Sequence, residues 1–302
     1  MTRTALITGG TGYIGQCLAR HLSAENWRVH VVVRVSSKEE SIWSETNTPV
    51  IHRIGDKYSD LNAVVRQTKP NVVFHLASLF LSQHKSCDIA PLIDSNITFG
   101  THLVEAMVEN GVRLLVNTGT SWQHYLNQSY NPVCLYAATK QAFEAVIRYY
   151  QEAKDLQVIT LKLFDTYGPG DRRPKLMQLL LKQMKQKSPL DMSPGEQRID
   201  MVYIDDVVAA FRLAAEYLIA GSVAFSGEYA VSSGQPIKLK DLVAVFEAIS
   251  GHALKIQWGG RPYREREVMR TWDIGKTLPG WQPQIPLAEG ISRLIKFEQE
   301  MG

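Results

Sequence analysis

Near the N-terminus an apolar run of strand length, Thr4-Ala5-Leu6-Ile7-Thr8, meets the glycine-rich stretch Gly9-Gly10-Thr11-Gly12-Tyr13-Ile14-Gly15. Directly after it, Gln16-Cys17-Leu18-Ala19-Arg20-His21-Leu22 carries apolar residues at helical spacing. A strand, a glycine turn and a helix start in this order leave backbone N–H groups at the positive end of a helix, where the pyrophosphate of a nucleotide can sit. A Cβ in the turn would hold the phosphate off, and a tight turn often needs positive φ. The glycines satisfy two frames at once, Gly10-x-Gly12-x-x-Gly15 and Gly9-x-x-Gly12-x-x-Gly15. Such a loop taken alone also describes an ordinary strand-to-helix turn. Its place between the expected elements at the start of the chain favours the nucleotide reading.

The 302 residues, 45% of them apolar, allow one large core, or one core and a smaller lobe. No stretch has transmembrane length, and Met1-Thr2-Arg3 leads straight into a strand, so neither a membrane segment nor a signal peptide is expected. Cys17, Cys87 and Cys134 are widely spaced without metal-ligand grouping, and read as reduced thiols of a cytoplasmic protein that holds no metal. A net charge of +3 is too small to point to nucleic acid or a membrane surface as partner.

A second strand is expected from Arg28 to Val33. In dinucleotide-binding sheets a carboxylate at the end of this strand holds the ribose hydroxyls. Here the position carries Arg34, with Ser36, Ser37 and Lys38 beyond it. A carboxylate repels a 2′-phosphate, whereas a guanidinium grips it through paired N–H donors. NADP(H) is therefore expected over NAD(H); the alternative is an arginine that ends a strand in solvent.

A third strand, Pro49 to Ile54, closes on Gly55-Asp56 with Lys57 next to it. Asp56 can accept from an adenine amino group or cap a helix expected from Ser59 to Thr68, and the two roles are compatible. A fourth strand, Val72 to Leu76, leads into Ala77-Ser78, where small residues admit a cofactor; His75 within it reads as a core histidine. Helical spacing covers Ile97 to Val108, with Asn96 near its start, and a fifth strand, Leu114 to Val116, enters Asn117-Thr118-Gly119-Thr120. Strands and helices alternating at this interval imply a parallel sheet covered on both faces, with ligands beyond the carboxyl ends of its strands.

Tyr136-Ala137-Ala138-Thr139-Lys140 opens a helix that runs to about Lys154. Positions i and i+4 share a helix face, so Tyr136 and Lys140 can share an environment. A nearby ammonium favours the phenolate and is expected to draw the Tyr136 pKa from about 10 towards neutrality, which suits proton exchange with a carbonyl oxygen. Thr120, at a strand end, can supply a second hydrogen bond to that oxygen.

The chain resembles the extended short-chain dehydrogenases/reductases, the family of NAD(P)-dependent sugar-nucleotide epimerases, dehydratases and reductases. The resemblance spans nearly the whole length and rests on Gly9-x-x-Gly12-x-x-Gly15, Asp56, His75-Leu76-Ala77, Asn96, Thr118-Gly119-Thr120, Tyr136-x-x-x-Lys140, Tyr167-Gly168-Pro169 and Tyr203-Ile204-Asp205-Asp206-Val207. It implies an α/β architecture: a Rossmann-type doubly wound parallel sheet in residues 1–164, to which 199–225 return, and a small C-terminal α/β substrate lobe within 165–302. It also implies catalytic roles for Thr120, Tyr136 and Lys140. Cofactor contacts are expected from Gly9, Gly12, Tyr13, Ile14, Gly15, Arg34, Ser37, Asp56, Lys57, Leu76, Ala77, Ser78, Asn96, Thr118, Leu163 and Phe164, and Lys140 is expected to hold the nicotinamide ribose.

Departures from the family pattern narrow the chemistry. The Asp-Glu pair that follows the catalytic Thr in 4,6-dehydratases is Ser121-Trp122 here, which removes the acid and base of elimination. The usual Asn before x-Tyr-Gly-Pro is Asp165, and the usual Arg-Asp before the Asp-Asp pair is Ile199-Asp200, with Arg198 one residue earlier. The stretches around Thr120 and Asp165 look most similar to 4-keto-6-deoxy sugar-nucleotide reductases of the CDP-abequose synthase kind. The expected activity is NADPH-dependent reduction of the 4-keto group of a nucleoside-diphosphate deoxyhexose. Ser121, Trp122, Gln123, Asp165, Arg173, Lys175, Arg198 and Arg266 are the expected substrate contacts. A second basic run, Arg261, Arg264, Arg266 and Arg270, should turn one or two of its members to the pocket, or else lie solvated beside Glu265 and Glu267. The rival readings are a 4-epimerase that retains its cofactor and a non-catalytic NADP-binding regulator. A homodimer is expected through the Tyr-Lys helix, with Phe143, Val146, Ile147 and Tyr150 as an apolar face that subunit burial would explain equally well.

Overall fold

The computed structural model describes residues 2–37, 49–222 and 225–301. Lys38, which follows Arg34 and the serines in sequence, lies outside them. The main sheet takes β1 (Thr4–Thr8), β2 (Arg28–Arg34), β3 (Val50–Ile54), β4 (Val72–His75), β5 (Leu114–Thr120) and β6 (Gln157–Leu163), each an apolar, β-branched run. Its seventh strand, Gly227–Val231, is β11; the strands between are short pairs outside the main sheet. The order is β11-β6-β5-β4-β1-β2-β3, and every pairing is parallel. The strand order reverses between β1 and β4, so the loops after these two strands open a crevice at their carboxyl ends.

Helices cover both faces, as a parallel sheet buried on both sides requires. On one face lie α1 (Tyr13–Ala24) and α7 (Ile204–Ile219), which pack Leu18, Leu22, Val207 and Phe211 over Ile7, Val31 and Phe74. On the other lie α2 (Tyr58–Thr68), α4 (Phe99–Glu109) and α5 (Leu135–Lys154), around Leu61, Leu103, Met107, Phe143 and Val158. Phe143, Ile147 and Tyr150 are buried within the subunit, and Val146 packs partly buried against the same cluster. Subunit burial thus accounts for the apolar face of the Tyr-Lys helix.

The chain returns to the sheet with α7 and continues to β11 at Val231, past the 199–225 expected. The rest forms short pairs, β7 (Asp165–Tyr167) with β10 (Met201–Tyr203), β8 (Leu190–Met192) with β13 (Ile256–Trp258) and β9 (Arg198–Ile199) with β12 (Ile237–Lys238), beside α6 (Leu176–Met184), α8 (Leu239–Ser250) and α9 (Leu287–Met301). The apolar side chains of these pieces, including Leu180, Met192, Phe246 and Leu294, belong to the same cluster as the α1/α7 face. No helix among the described residues is long and apolar enough to cross a membrane.

One helix boundary differs from expectation. Asn96 does not sit near a helix start: α3 (Ile89–Ile93) runs through a π-turn (Asp94–Thr98) into α4, so Asn96 lies well inside a continuous helical segment. The π-turn inserts a residue and breaks the periodicity on which the boundary was read.

Asp206 fastens the C-terminal segment to α7. Its carboxylate accepts the N–H groups of Gln284 (2.9 Å) and Ile285 (3.0 Å), and its carbonyl accepts the Trp281 indole N–H (2.9 Å). Replacing Asp206 by Ala strands two backbone donors, and urea unfolding should show a loss of about 2–4 kcal/mol.

Candidate active site

The glycine loop is shaped by close backbone packing. Gly9 has φ +72°, and a Cβ there would lie 2.5 Å from the Ala77 nitrogen; at Gly15 it would lie 2.3 Å from the Gly9 carbonyl oxygen. Gly12 is the residue before α1, no side chain caps that helix, and its first turn holds no acid. The first amides of α1 are thus left to an anion, and a negative charge there is favoured by the helix dipole.

These amides border a cavity of about 260 Å³, lined by Gly9, Gly12, Tyr13, Ile14, Gly15, Leu76, Ser78, Thr118, Thr120, Tyr136, Lys140, Leu163 and Phe164 among others. Ala77 stands behind the loop, pressed against Gly9, its N–H donating to Thr8 Oγ1 (3.3 Å). Arg34, the last residue of β2, and Ser37, Asp56 and Lys57, past the ends of β2 and β3, lie outside this cavity. Thr8 pairs with Val32, so Arg34, with an exposed side chain, ends β2 at the same end of the sheet as the glycine loop. Asp56 is exposed and does not cap α2: the residue before that helix is Lys57, and Asp60 takes the Gly55 N–H (3.1 Å).

Tyr136 and Lys140, one turn apart near the start of α5, are both buried at the cavity wall. Burial pushes the Tyr136 phenol up to about 12, and the Ser78 hydroxyl that bonds it pulls only partly back. The expected draw of Lys140 on the phenol is absent from this balance; burial instead lowers the Lys140 ammonium to about 8, with Glu144 opposing. Tyr136 is therefore a neutral phenol near pH 7, a proton donor. Thr120 ends β5; its Oγ1 accepts the Trp122 N–H (3.3 Å) and its own N–H donates to Gln123 Oε1 (2.9 Å). With that acceptor site occupied, the Thr120 hydroxyl proton is left to donate into the cavity.

His75 is a core residue, its Nδ1 2.8 Å from Thr8 Oγ1, and burial holds its pKa at about 3. Asn96 does not line the cavity. From the π-turn it accepts the Leu79 N–H (2.8 Å), donates to the Leu79 carbonyl (3.0 Å) and donates to Thr139 Oγ1 (2.9 Å). This clamp presents Phe80, which sequence reading missed. Its ring meets Tyr136 edge-on (centroids 4.9 Å apart) and leans on Trp122 (5.5 Å), while Lys175 Nζ sits 4.6 Å from its centroid. No residue pattern flags an exposed Phe in a loop as an active-site wall.

A second cavity of about 830 Å³ shares Phe80, Ser121, Trp122, Phe164, Asp165, Arg173 and Lys175 with the first, so the two are continuous. Arg198, Arg261 and Arg264 line its outer part, and Trp272, stacked on His124 at 3.9 Å, forms a flat wall. Three cations are paired: Arg173 with Asp171 (2.7 Å), Lys175 with Asp165 (3.6 Å) and Arg264 with Glu267 (2.7 Å). Among the described residues, Arg198 and Arg261 face the space without a carboxylate partner.

Two expected substrate contacts are elsewhere. Gln123 is fully buried, bonded to the Thr120 backbone and, through Nε2, to Gln141 Oε1 (2.7 Å). Thr120-x-x-Gln123 forms a capping box, a pattern legible in the sequence. Arg266 lines neither cavity: it packs its guanidinium over Tyr125 (4.4 Å), itself a wall of the larger one, and bonds Asn131.

Residues 5–224 match the NAD dependent epimerase/dehydratase family. Among curated proteins, CDP-abequose synthase of Salmonella muenchen is 24% identical, over 99% of both chains. UDP-glucose 4-epimerase of Mycolicibacterium smegmatis is 28% identical over 97% of both. Among solved structures, a UDP-glucose 4-epimerase of Thermus thermophilus complexed with NAD superimposes with TM-score 0.84 at 22% identity, covering 98% of this chain and 99% of that one. The Thermotoga maritima UDP-glucose 4-epimerase with UDP-glucose gives 0.86 at 20%, covering 99% of each.

The tyrosinate absorbance of the wild-type chain minus that of Tyr136→Phe should stay flat up to about pH 10, because burial keeps this phenol protonated. A rise centred near neutrality would contradict the burial of Tyr136 at the cavity wall.

Proposed function

The chain belongs to the NAD dependent epimerase/dehydratase family, and on that premise we propose that it is an NADPH-dependent reductase of the 4-keto group of a nucleoside-diphosphate 4-keto-6-deoxyhexose. The carrying observation is one continuous space. The glycine loop, Thr120, Tyr136 and Lys140 surround its inner part, which opens past Phe80 and Trp122 into an outer part bordered by arginines and a flat aromatic wall. Ser121-Trp122 in place of an acid–base pair speaks against elimination, and the end-to-end similarity to CDP-abequose synthase supports reduction.

The residues present suit a dinucleotide: an uncapped helix start behind a glycine, and a buried Thr118 hydroxyl without a partner at the cavity wall. The Gly12–Gly15 amides would hold the pyrophosphate, Arg34 a 2′-phosphate, and Lys140 the nicotinamide ribose. When bound, the dinucleotide supplies hydride. Thr120 then donates its hydroxyl proton in a hydrogen bond to the sugar carbonyl and stabilises the charge growing on that oxygen. Tyr136, neutral in its buried setting, transfers its phenolic proton to the same oxygen, and the Lys140 ammonium steadies the phenolate left behind. Phe80 and Trp122 keep water from the reacting carbon. In the outer cavity Arg198 and Arg261 would meet the diphosphate, and Trp272 offers a face for stacking.

A 4-epimerase is the second reading, favoured by the similarity to the Mycolicibacterium smegmatis protein. CDP-, dTDP-, GDP- and UDP-linked 4-keto-6-deoxy sugars mixed with NADPH distinguish the two. A reductase consumes one NADPH per sugar; an epimerase leaves the absorbance at 340 nm unchanged. Tyr136→Phe should lower kcat by about 100-fold or more with little change in NADPH affinity. Arg34→Glu should weaken NADPH binding by about 10- to 100-fold and leave NADH binding nearly unchanged, read by cofactor fluorescence titration.

A further inference from the structure

Behind the Thr120 and Lys140 wall lies a buried charged cluster that the proposed chemistry does not use. Lys162 on β6 has a side chain only 1% exposed, yet it is ion-paired twice, to Glu144 on α5 (3.2 Å) and to Glu228 on β11 (2.7 Å). Lys162 is the register partner of Gly119, the residue before Thr120. A Cβ on Gly119 would lie 3.0 Å from Gln123 Oε1, 3.0 Å from Glu144 Oε1 and 3.1 Å from Lys162 Cγ, so the strand end rests directly on these three side chains. Gln123 carries the contact on to Thr120, whose N–H it accepts. Glu144 stands one helical turn beyond Lys140, on the same side of α5.

The Lys162–Glu144 contact is buried on both sides and costs desolvation that a well-packed apolar pair would avoid, so stability alone is a weak reason for it, while Glu228 reaches Lys162 from a half-exposed position. The placement of the buried pair gives a better reason. We propose that Glu144, locked by Lys162 and lying with Gln123 against Gly119, is a positioning residue that sets the Thr120 hydroxyl and the Lys140 ammonium at the cavity wall. It touches neither substrate nor cofactor; it acts through Lys140 on its own helix and through the strand end of Thr120. The inference rests on the catalytic reading of Thr120, Tyr136 and Lys140 under the proposed function.

The electrostatics agree with the geometry. Glu144 is the neighbour that opposes the loss of the Lys140 proton. The groups facing Lys140 are Glu144 on α5 and His75 on β4, with Tyr136 sharing its cavity wall; those facing Glu144 are Lys162 on β6, Glu228 on β11 and Gln123, with Arg148 on α5 lining the same groove. Removing the Glu144 charge while keeping its shape should let Lys140 deprotonate at lower pH, which moves the alkaline limb of the rate profile downwards.

Glu144→Gln tests this in the full chain. At pH 6, kcat should fall about 10- to 100-fold, the loss expected when reacting groups are displaced by a fraction of an ångström to an ångström. KM for the sugar nucleotide should hold within about twofold, since the change acts after binding. The alkaline limb should shift down by about one pH unit, the effect of removing one nearby opposite charge. Deuterium exchange at the Thr120 amide should speed up, and Glu144→Asp should recover part of kcat. If kcat, the limb and the Thr120 exchange all match the parent, the proposal is overturned, even where the melting temperature drops. Should Glu144→Gln fail to fold, the double variant Glu144→Met/Lys162→Met removes both charges at similar volume and is judged by the same readouts. If the parent turns over no 4-keto sugar nucleotide, the proposed function fails. The inference is then decided by Thr120 exchange and by the pH dependence of NADPH fluorescence binding: unchanged values overturn it, and shifted values uphold it.

Discussion

The site is built on a backbone-to-backbone contact at the point where the strand order reverses. Gly9, in a left-handed conformation, lies against the Leu76–Ala77 backbone so closely that no side chain fits between them. That contact joins the turn after β1 to the turn after β4. It fixes the direction of α1, so its uncapped amides border the cavity, and it starts the Ser78-Leu79-Phe80 segment along the opposite rim. Thr8 strengthens the join from the β1 side, bonded to His75 and to the Ala77 N–H. The helix-start rim and the Tyr136 rim of the cavity are therefore two consequences of one packing constraint.

That packing creates a place where polar groups can be buried without being lost. Tyr136 and Lys140 are both kept from water, which holds the phenol protonated and brings the ammonium within reach of neutral pH. A charge on such an ammonium is costly unless something opposes it. Glu144 is that opposition, and Lys162, which Glu228 also pairs, in turn balances Glu144. On the other rim Asn96 uses both ends of its amide to hold Leu79, an arrangement made possible by the π-turn that turns this side chain inward.

Much of the fold was legible because parallel strands buried on both faces must be written as apolar runs. Val31-Val32-Val33 and Val72-Val73-Phe74 admit few other readings. Asn96 was misplaced because Ile89-Ala90-Pro91-Leu92-Ile93 exposes much of its surface and carries a proline, and the π-turn then shifts the helical phase of the residues beyond it. Gln123 and Arg266 were drawn to the pocket by nearness in sequence to residues that do line it. Each instead satisfies a neighbour, the Thr120 amide in one case and the Tyr125 ring with Asn131 in the other.

The order of residues alone determined the glycine turn, the alternation of strands and helices, and the one-turn spacing of Tyr136 and Lys140, because each arises from local geometry and period. Only the tertiary structure decided which cations face the outer cavity, that Phe80 closes the corner over Tyr136, and that the phenol is held neutral by burial. Those outcomes depend on desolvation and on contacts between segments far apart in the chain, and neither quantity is a property of any short stretch of sequence.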